Sequence, residues 1–323
     1  MTRKALVVGV NYYGRPELDL AGCVNDAKAV ADLLQKNYDD SPNFDTNLLT
    51  AEDGRSAINR CFLRQQIETL FEGDADVALL YFAGHGSCDD RGGYIFASND
   101  TEGIALNDVL LWANKSRCKH KIIILDSCFS GAAGCNALSG ASELMEGVVI
   151  LAACTSKQTA SETPSERGAF TSILEDALKG AAANLVGEIS PGSIYAHVDK
   201  SFGAWQQRPI FKANVKNFVS LRKTKPSIEL GDLRKLTELF PEAAYEYRLD
   251  PTYEPEMKGR TEGMPEPIFE NTRKFAILQK YNRVNLLVPV GAPHMWHAAM
   301  ESKSCRLTAL GRFYHMLVQK GRI

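Results

Sequence analysis

The chain of 323 residues predicts an α/β fold with a mainly parallel central sheet flanked by helices. Three observations carry that expectation. Strand-like and helix-like stretches alternate through the first two thirds of the chain, as in sheets built by crossover connections. Two apolar runs, Ala78–Ala83 and Ile122–Leu125, show no polar alternation, which suits strands covered on both faces. Each run leads into a polar, small-residue stretch, one carrying His85 and the other Cys128. The carboxyl edge of such a sheet is where open α/β folds place their chemistry.

The elements follow in order. A first strand is expected at Ala5–Val10, and a helix at Cys23–Gln35 with Val24, Ala27, Val30, Ala31 and Leu34 at helical spacing. A short second strand falls near Asn47–Leu49. The next helix, roughly Ser56–Phe71, has an apolar face of Ile58, Cys61, Phe62, Ile67, Leu70 and Phe71. Strands at Val77–Ala83, Tyr94–Ala97, Lys121–Leu125 and Gly147–Ala153 are separated by a helix near Leu106–Ala113. A polar loop over Cys154–Gly168 precedes helices at Ala169–Leu178 and Ser193–Phe202 and a last strand at Pro209–Phe211.

Composition changes after Leu221. The reading is a domain over 1–221, a linker and acidic proline-rich segment over 222–270, and a basic module over 271–323. Residues 226–270 hold 11 acidic and 5 basic side chains, whereas 271–323 hold 1 acidic and 9 basic, so the two stretches are opposite in charge. Helix-like Arg273–Tyr281, strand-like Asn285–Val290 and a closing helix near Thr308–Lys320 make a small α+β unit compatible with a winged-helix-like module. Three roles for 226–323 stay open. It binds nucleic acid through phosphates, its basic part docks on its own acidic stretch, or it recruits an activator or partner protein. The last is favoured.

Net charge −2 argues against a surface that is basic throughout. The eight cysteines show no C-x-x-C or other metal-ligand spacing, and a chain this long with an ample core needs no disulfide framework, so reduced thiols and the cytoplasm are expected. The apolar run at Ala5–Val10 is too short for a signal peptide, and no run is long enough for a membrane span.

A thiol beside an imidazole is the minimum equipment for nucleophilic acyl transfer. The glycines at 84 and 86 are expected to shape a tight turn around His85. The main-chain N–H groups near Gly86 and at Cys128 are candidates for an oxyanion hole.

These motifs carry a resemblance. Tyr81-Phe-Ala-Gly-His-Gly86 and Asp126-Ser-Cys-Phe-Ser-Gly131 resemble the His and Cys motifs of caspase-like cysteine peptidases, the metacaspase and bacterial branch most closely. Gly9-Val-Asn11, Leu20–Ala27, Asn47–Thr50, Leu151–Cys154, Gly168-Ala-Phe-Thr171 and Gln207-Arg-Pro209 extend it over about residues 1–220. The resemblance implies a caspase-like sandwich and a peptidase with Cys128 as nucleophile and His85 as general acid/base. No third member of the triad is assigned. It also implies an acidic pocket for the residue before the scissile bond, with Cys23, Asp26, Ala83 and Asp126 at the matching positions. Ala83 departs from the pattern, where a serine is usual. The substrate is then a protein or peptide cut after Arg or Lys, in a setting of bacterial signalling or defence. Calcium dependence occurs in the metacaspase branch, but no ligands are nameable here and no cofactor is expected.

Many caspases are activated by a cut after the Cys strand. Residues 129–147 contain no Lys or Arg, so an enzyme specific for basic residues cannot process itself there, and its activity is gated by a signal or partner. Arg222, Lys223, Lys225, Lys258 and Arg260 are the candidate self-cleavage positions. The alternative for the whole chain is a caspase-fold scaffold whose basic C-terminal module carries the biology.

Overall fold

Alternate residues along the apolar strands leave one sheet on opposite sides, and both sides are buried. A computed structural model describes residues 2–89, 92–129, 144–153, 169–202 and 209–323, with the backbone alone at 128 and 129. The chain divides into two compact units, Met1–Ala183 with Gly187–Lys225, and Asn184–Val186 with Pro226–Ile323.

The first unit opens with β1 (Arg3–Val10), α1 (Cys23–Gln35), β2 (Asp45–Ala51), α2 (Arg60–Phe71) and β3 (Val77–Asp89). Then come β4 (Gly92–Ile95), β5 (Ile104–Ala105), α3 (Leu106–Lys115), β6 (His120–Phe129) and β7 (Val148–Ala152). It closes with α4 (Ala169–Asp176), β8 (Glu188–Ile189), α5 (Pro191–Ser201), β9 (Ile210–Asn214) and β10 (Arg222–Lys223). The main sheet follows the path β2-β1-β3-β6-β7-β9, parallel except for β9, and β4 and β5 join it off β3 in antiparallel pairings.

On one face Leu6, Leu80, Ile123 and Ile150 join Leu63 and Ile67 of α2 and Val109 of α3 in one cluster. On the other, Val7, Leu79, Ile124 and Leu151 join Val30 of α1, Leu174 of α4 and Ile194 of α5. Each such side chain contributes about 1.5–3 kcal/mol on burial, and the two-sided demand explains the unbroken apolar runs. Helix starts follow local chemistry. Asn59 accepts the Phe62 N–H to cap α2, and Ser190 with Ser193 forms a capping box on α5. At α1, Gly22 offers no side-chain cap, and Asn11 Oδ1 accepts the Val24 N–H from outside the helix at 3.2 Å.

Two strands run further than expected. β3 continues to Asp89 and β6 to Phe129, so His85 and Cys128 lie within the ladder rather than in turns after it. Gly84 and Gly86 are part of the extended strand. Their lack of a side chain serves close packing: a Cβ at 84 would stand 2.5 Å from the Tyr13 hydroxyl, and one at 86 would stand 3.0 Å from Ser127 Oγ. The pairing of β1 with β3 stops at Ala83, and β4 pairs with β3 from Gly86 onward.

The second unit contains α6 (Leu230–Arg234), α7 (Leu236–Leu239), β11 (Glu246–Arg248), α8 (Phe269–Arg283), β12 (Leu287–Val290), α9 (Met295–Met300), β13 (Ser304–Leu307) and α10 (Ala309–Gln319). Its antiparallel sheet has the order β11-β13-β12, and Phe240, Phe275, Leu278, Tyr281, Leu307 and Tyr314 form its core. Residues 226–270 therefore supply two helices and a strand to this unit. Within 271–323, Lys280 is the one cation paired with a carboxylate among the described residues, through Asp232 at 2.6 Å. The acidic stretch leaves most of the basic one unneutralised.

Candidate active site

Parallel pairing of β3 with β6 makes Ala83 the register partner of Asp126, His85 that of Cys128 and Gly86 that of Phe129. The two predicted reactive residues thus stand opposite one another at the carboxyl end of adjacent strands.

His85 is held from both sides of its peptide. The Tyr13 hydroxyl accepts the His85 main-chain N–H at 2.7 Å, and the Tyr13 ring tilts against the imidazole with centroids 4.5 Å apart. Burial pushes the Tyr13 phenol far up, so the group remains a neutral hydroxyl. The imidazole Nε2 lies 2.7 Å from the Leu18 carbonyl. A carbonyl only accepts, so Nε2 carries a hydrogen, and of the two neutral tautomers this bond selects the one with its lone pair on Nδ1. The loop presenting Leu18 is closed by Leu18 N–H to the Arg15 carbonyl, Tyr13 N–H to Asp19 Oδ1 and Leu20 N–H to the Asn11 carbonyl.

The expected pocket positions converge as well. Gly9, Ala83 and Asp126 form one row across β1, β3 and β6. A Cβ on Gly9 would come within 2.4 Å of the Cys23 carbonyl and 2.7 Å of Ala27 Cβ. The glycine therefore lets α1 settle on the sheet and bring half-buried Cys23 and buried Asp26 over the row. Tyr81, fully buried on β3, has its phenol pushed well up by burial, then by Asp126, and further by Asp26 and Cys23. One hydroxyl thus lies within electrostatic reach of three of the four pocket candidates.

Asp126 keeps a partly accessible edge while protein encloses the rest. That enclosure raises its carboxyl above the ordinary range, and hydrogen bonds from the Thr171 hydroxyl and main-chain N–H act against the rise. No cation pairs with Asp126 among the described residues.

Sequence reasoning missed Leu18 and Tyr13, and quoted Tyr81 and Thr171 only within motifs. A main-chain acceptor leaves no mark in a sequence. The Cys135, Cys154 and Gln207–Arg208 positions and most of the 129–147 segment lie outside the described residues. Cys88 is disulfide-bonded, a departure from the reduced thiols expected throughout, while Cys23, Cys61, Cys118 and Cys305 are free. Among the described residues no His/Cys/Asp/Glu cluster could hold a metal ion, and no helix is long and apolar enough to cross a membrane.

The sheet and the paired His and Cys positions define a class, the caspase-like cysteine peptidases. The chain belongs to the caspase domain family, which matches residues 2–247 and so extends into the second unit. It is 31% identical over 151 residues to Metacaspase-1 of Plasmodium falciparum (isolate 3D7), covering 40% of this chain and 24% of that protein. It is 30% identical over 89 residues to Metacaspase-4 of Arabidopsis thaliana, covering 27% of this chain and 21% of that protein. The matches thus span about a quarter or less of these relatives' lengths. Caspase-1 from Spodoptera frugiperda shares the fold, with a TM-score of 0.50 at 13% identity over 68% of this chain and 91% of that chain.

Proposed function

We propose that the protein is a cysteine endopeptidase that cleaves protein substrates after Arg or Lys. The observation that carries this reading is Asp126: an enclosed carboxylate without a cationic partner among the described residues, two positions before Cys128 on the same strand. Breaking up a buried ion pair is costly because one charge is left uncompensated. A substrate guanidinium or ammonium supplies the missing partner, with Asp26 adding to the negative field.

In this reading His85 Nδ1 takes the proton of the Cys128 thiol as sulfur attacks the scissile carbonyl carbon. The oxyanion is met by main-chain N–H groups at Gly86 and Cys128. Collapse expels the amine, which takes the proton from His85, and leaves a thioester. Water, deprotonated by His85, then releases the acid and restores the thiol. The absence of basic residues over 129–147 supports gating by a signal or partner rather than by self-processing there.

The test is cleavage of a mixed peptide library by the full chain, by Cys128→Ala and by Asp126→Asn, with and without calcium. Cleavage after Arg or Lys that vanishes in the first variant and loses its basic preference in the second is the expected result. Basic preference that survives Asp126→Asn overturns the pocket assignment.

A second reading rests on the unneutralised cations of 271–323. It makes the chain a regulator whose second unit binds an acidic partner protein or nucleic acid. Persistent silence in the peptide assay, with a salt-sensitive complex formed by the full chain, would favour it.

A further inference from the structure

The carboxylate of Asp126 does not stand alone. Thr171, in the first turn of α4 and 1% exposed, donates its hydroxyl to Asp126 Oδ2. The Tyr81 hydroxyl lies 2.6 Å from the same Thr171 oxygen. Threonine has a single hydroxyl hydrogen, and an ionised carboxylate can only accept. When Asp126 is ionised the direction of the chain is therefore settled: Tyr81 donates to Thr171, and Thr171 donates to Asp126. Hydroxyls linked in this way polarise one another, so the terminal bond strengthens. Thr171 on α4 holds the carboxylate, and Tyr81 on β3 holds Thr171, while Asp126 together with Asp26 and Cys23 on α1 acts electrostatically on the Tyr81 hydroxyl. None of these brings a positive charge.

We infer that Thr171 is a positioning residue for substrate specificity, fixing the plane of the Asp126 carboxylate through the Tyr81–Thr171–Asp126 hydroxyl chain. The inference rests on Asp126 receiving the cation of the substrate. A carboxylate offers about four acceptor sites, and Thr171 engages it with both hydroxyl and main-chain N–H. The remaining sites are held in a set orientation. A fixed carboxylate plane favours a planar guanidinium, which pairs through two parallel bonds, over an ammonium, which needs no plane. Thr171 thus biases the site toward Arg over Lys.

The test compares wild type, Thr171→Val, Thr171→Ser and Asp126→Asn on matched Arg and Lys peptides across pH. Valine keeps the shape and removes the hydroxyl. For Thr171→Val we expect KM for the Arg peptide to rise about tenfold with kcat little changed, and the Arg-to-Lys preference to fall. The acid limb of kcat/KM moves to higher pH, and serine restores all three readouts. Where Thr171→Val loses its cooperative unfolding transition, Tyr81→Phe decides, with the same changes in smaller measure. Unchanged KM, ratio and acid limb in whichever of these two variants folds overturn the inference while the basic preference stands. If Asp126→Asn also keeps that preference, the underlying reading of the pocket is what has failed.

Discussion

The hydroxyl of Tyr13 accepts the main-chain N–H of His85 at 2.7 Å, and its ring lies 4.5 Å from the imidazole. One buried side chain thus supports both the backbone and the ring of the proposed base. Tyr13→Phe keeps the ring contact and orphans the N–H, an unmade bond that costs about 1–3 kcal/mol. We expect kcat to fall about tenfold or more with KM nearly constant. Gly84→Ala should reproduce the loss, because its Cβ would displace the same hydroxyl. Steady-state kinetics on an Arg peptide check both variants, and wild-type kcat in Tyr13→Phe would remove Tyr13 from the catalytic support.

Gly9 is a packing requirement with a functional readout. In Gly9→Ala the new Cβ meets backbone and a Cβ of α1 rather than a flexible side-chain end. The helix must shift, which is expected to destabilise the fold by roughly 3 kcal/mol and to weaken basic selectivity as Cys23 and Asp26 move. Urea denaturation and the Arg-to-neutral cleavage ratio measure the two effects.

Asp126 makes stability depend on pH with a definite sign. Burial raises its carboxyl in the folded state, so the folded protein holds that proton more tightly than the unfolded chain. This contribution is complete below the unfolded carboxylate range, about pH 4, and is lost as pH rises through the raised folded value. Asp126→Asn removes it. Across that window the urea midpoint of the variant should decline less steeply with pH than that of wild type, and parallel profiles would contradict the assignment.

Among the candidate self-cleavage positions, burial and bonding single out Lys258. Arg222 donates to the Lys36 and Leu178 carbonyls, and Lys223 is tied through both N–H and C=O. Lys225 precedes Pro226, whose ring constrains the bond to be cut. The Arg260 guanidinium donates to the carbonyls of Pro251, Glu254, Glu256 and Pro265. Lys258 is exposed in a turn beside Met257, itself 60% exposed. Incubating the Cys128→Ala chain with active enzyme should yield a cut after Lys258, absent in Lys258→Gln and faster in Arg260→Ala. Mass spectrometry of the fragments identifies the bond, and a cut within 129–147 would refute the basic specificity.

The mainly parallel sheet, the buried runs and the α1 helix were legible because each is written in how apolar residues are spaced along the chain. Cys23–Gln35 matches its predicted bounds for that reason. The positions proposed for the pocket were named only through the motifs they share with caspase-like peptidases. The extents of β3 and β6 were not legible, since glycine and serine read as turn residues when the side chains that fill their space, such as Tyr13, come from elsewhere in the chain. β13 was missed because Ser304–Leu307 alternates weakly and carries Arg306, although its Cys305 and Leu307 lie in the core of the second unit. The hydroxyl chain at Asp126 joins residues 45 and 90 positions apart, a distance at which local patterning is silent.

The acceptor that orients His85 is a peptide oxygen, and no substitution can delete it. All twenty side chains at position 18 present the same carbonyl, so a saturation scan of Leu18 will register little where a conventional third triad residue would register a collapse. The fragility is transferred to the residues that shape the loop. Asp19, which receives the Tyr13 N–H, and Asn11, whose carbonyl receives the Leu20 N–H and whose side chain reaches both Ala21 and Val24, become the mutable handles on the tautomer of the proposed base. Sequence drift at the site is thereby free at the contact itself and constrained one step behind it.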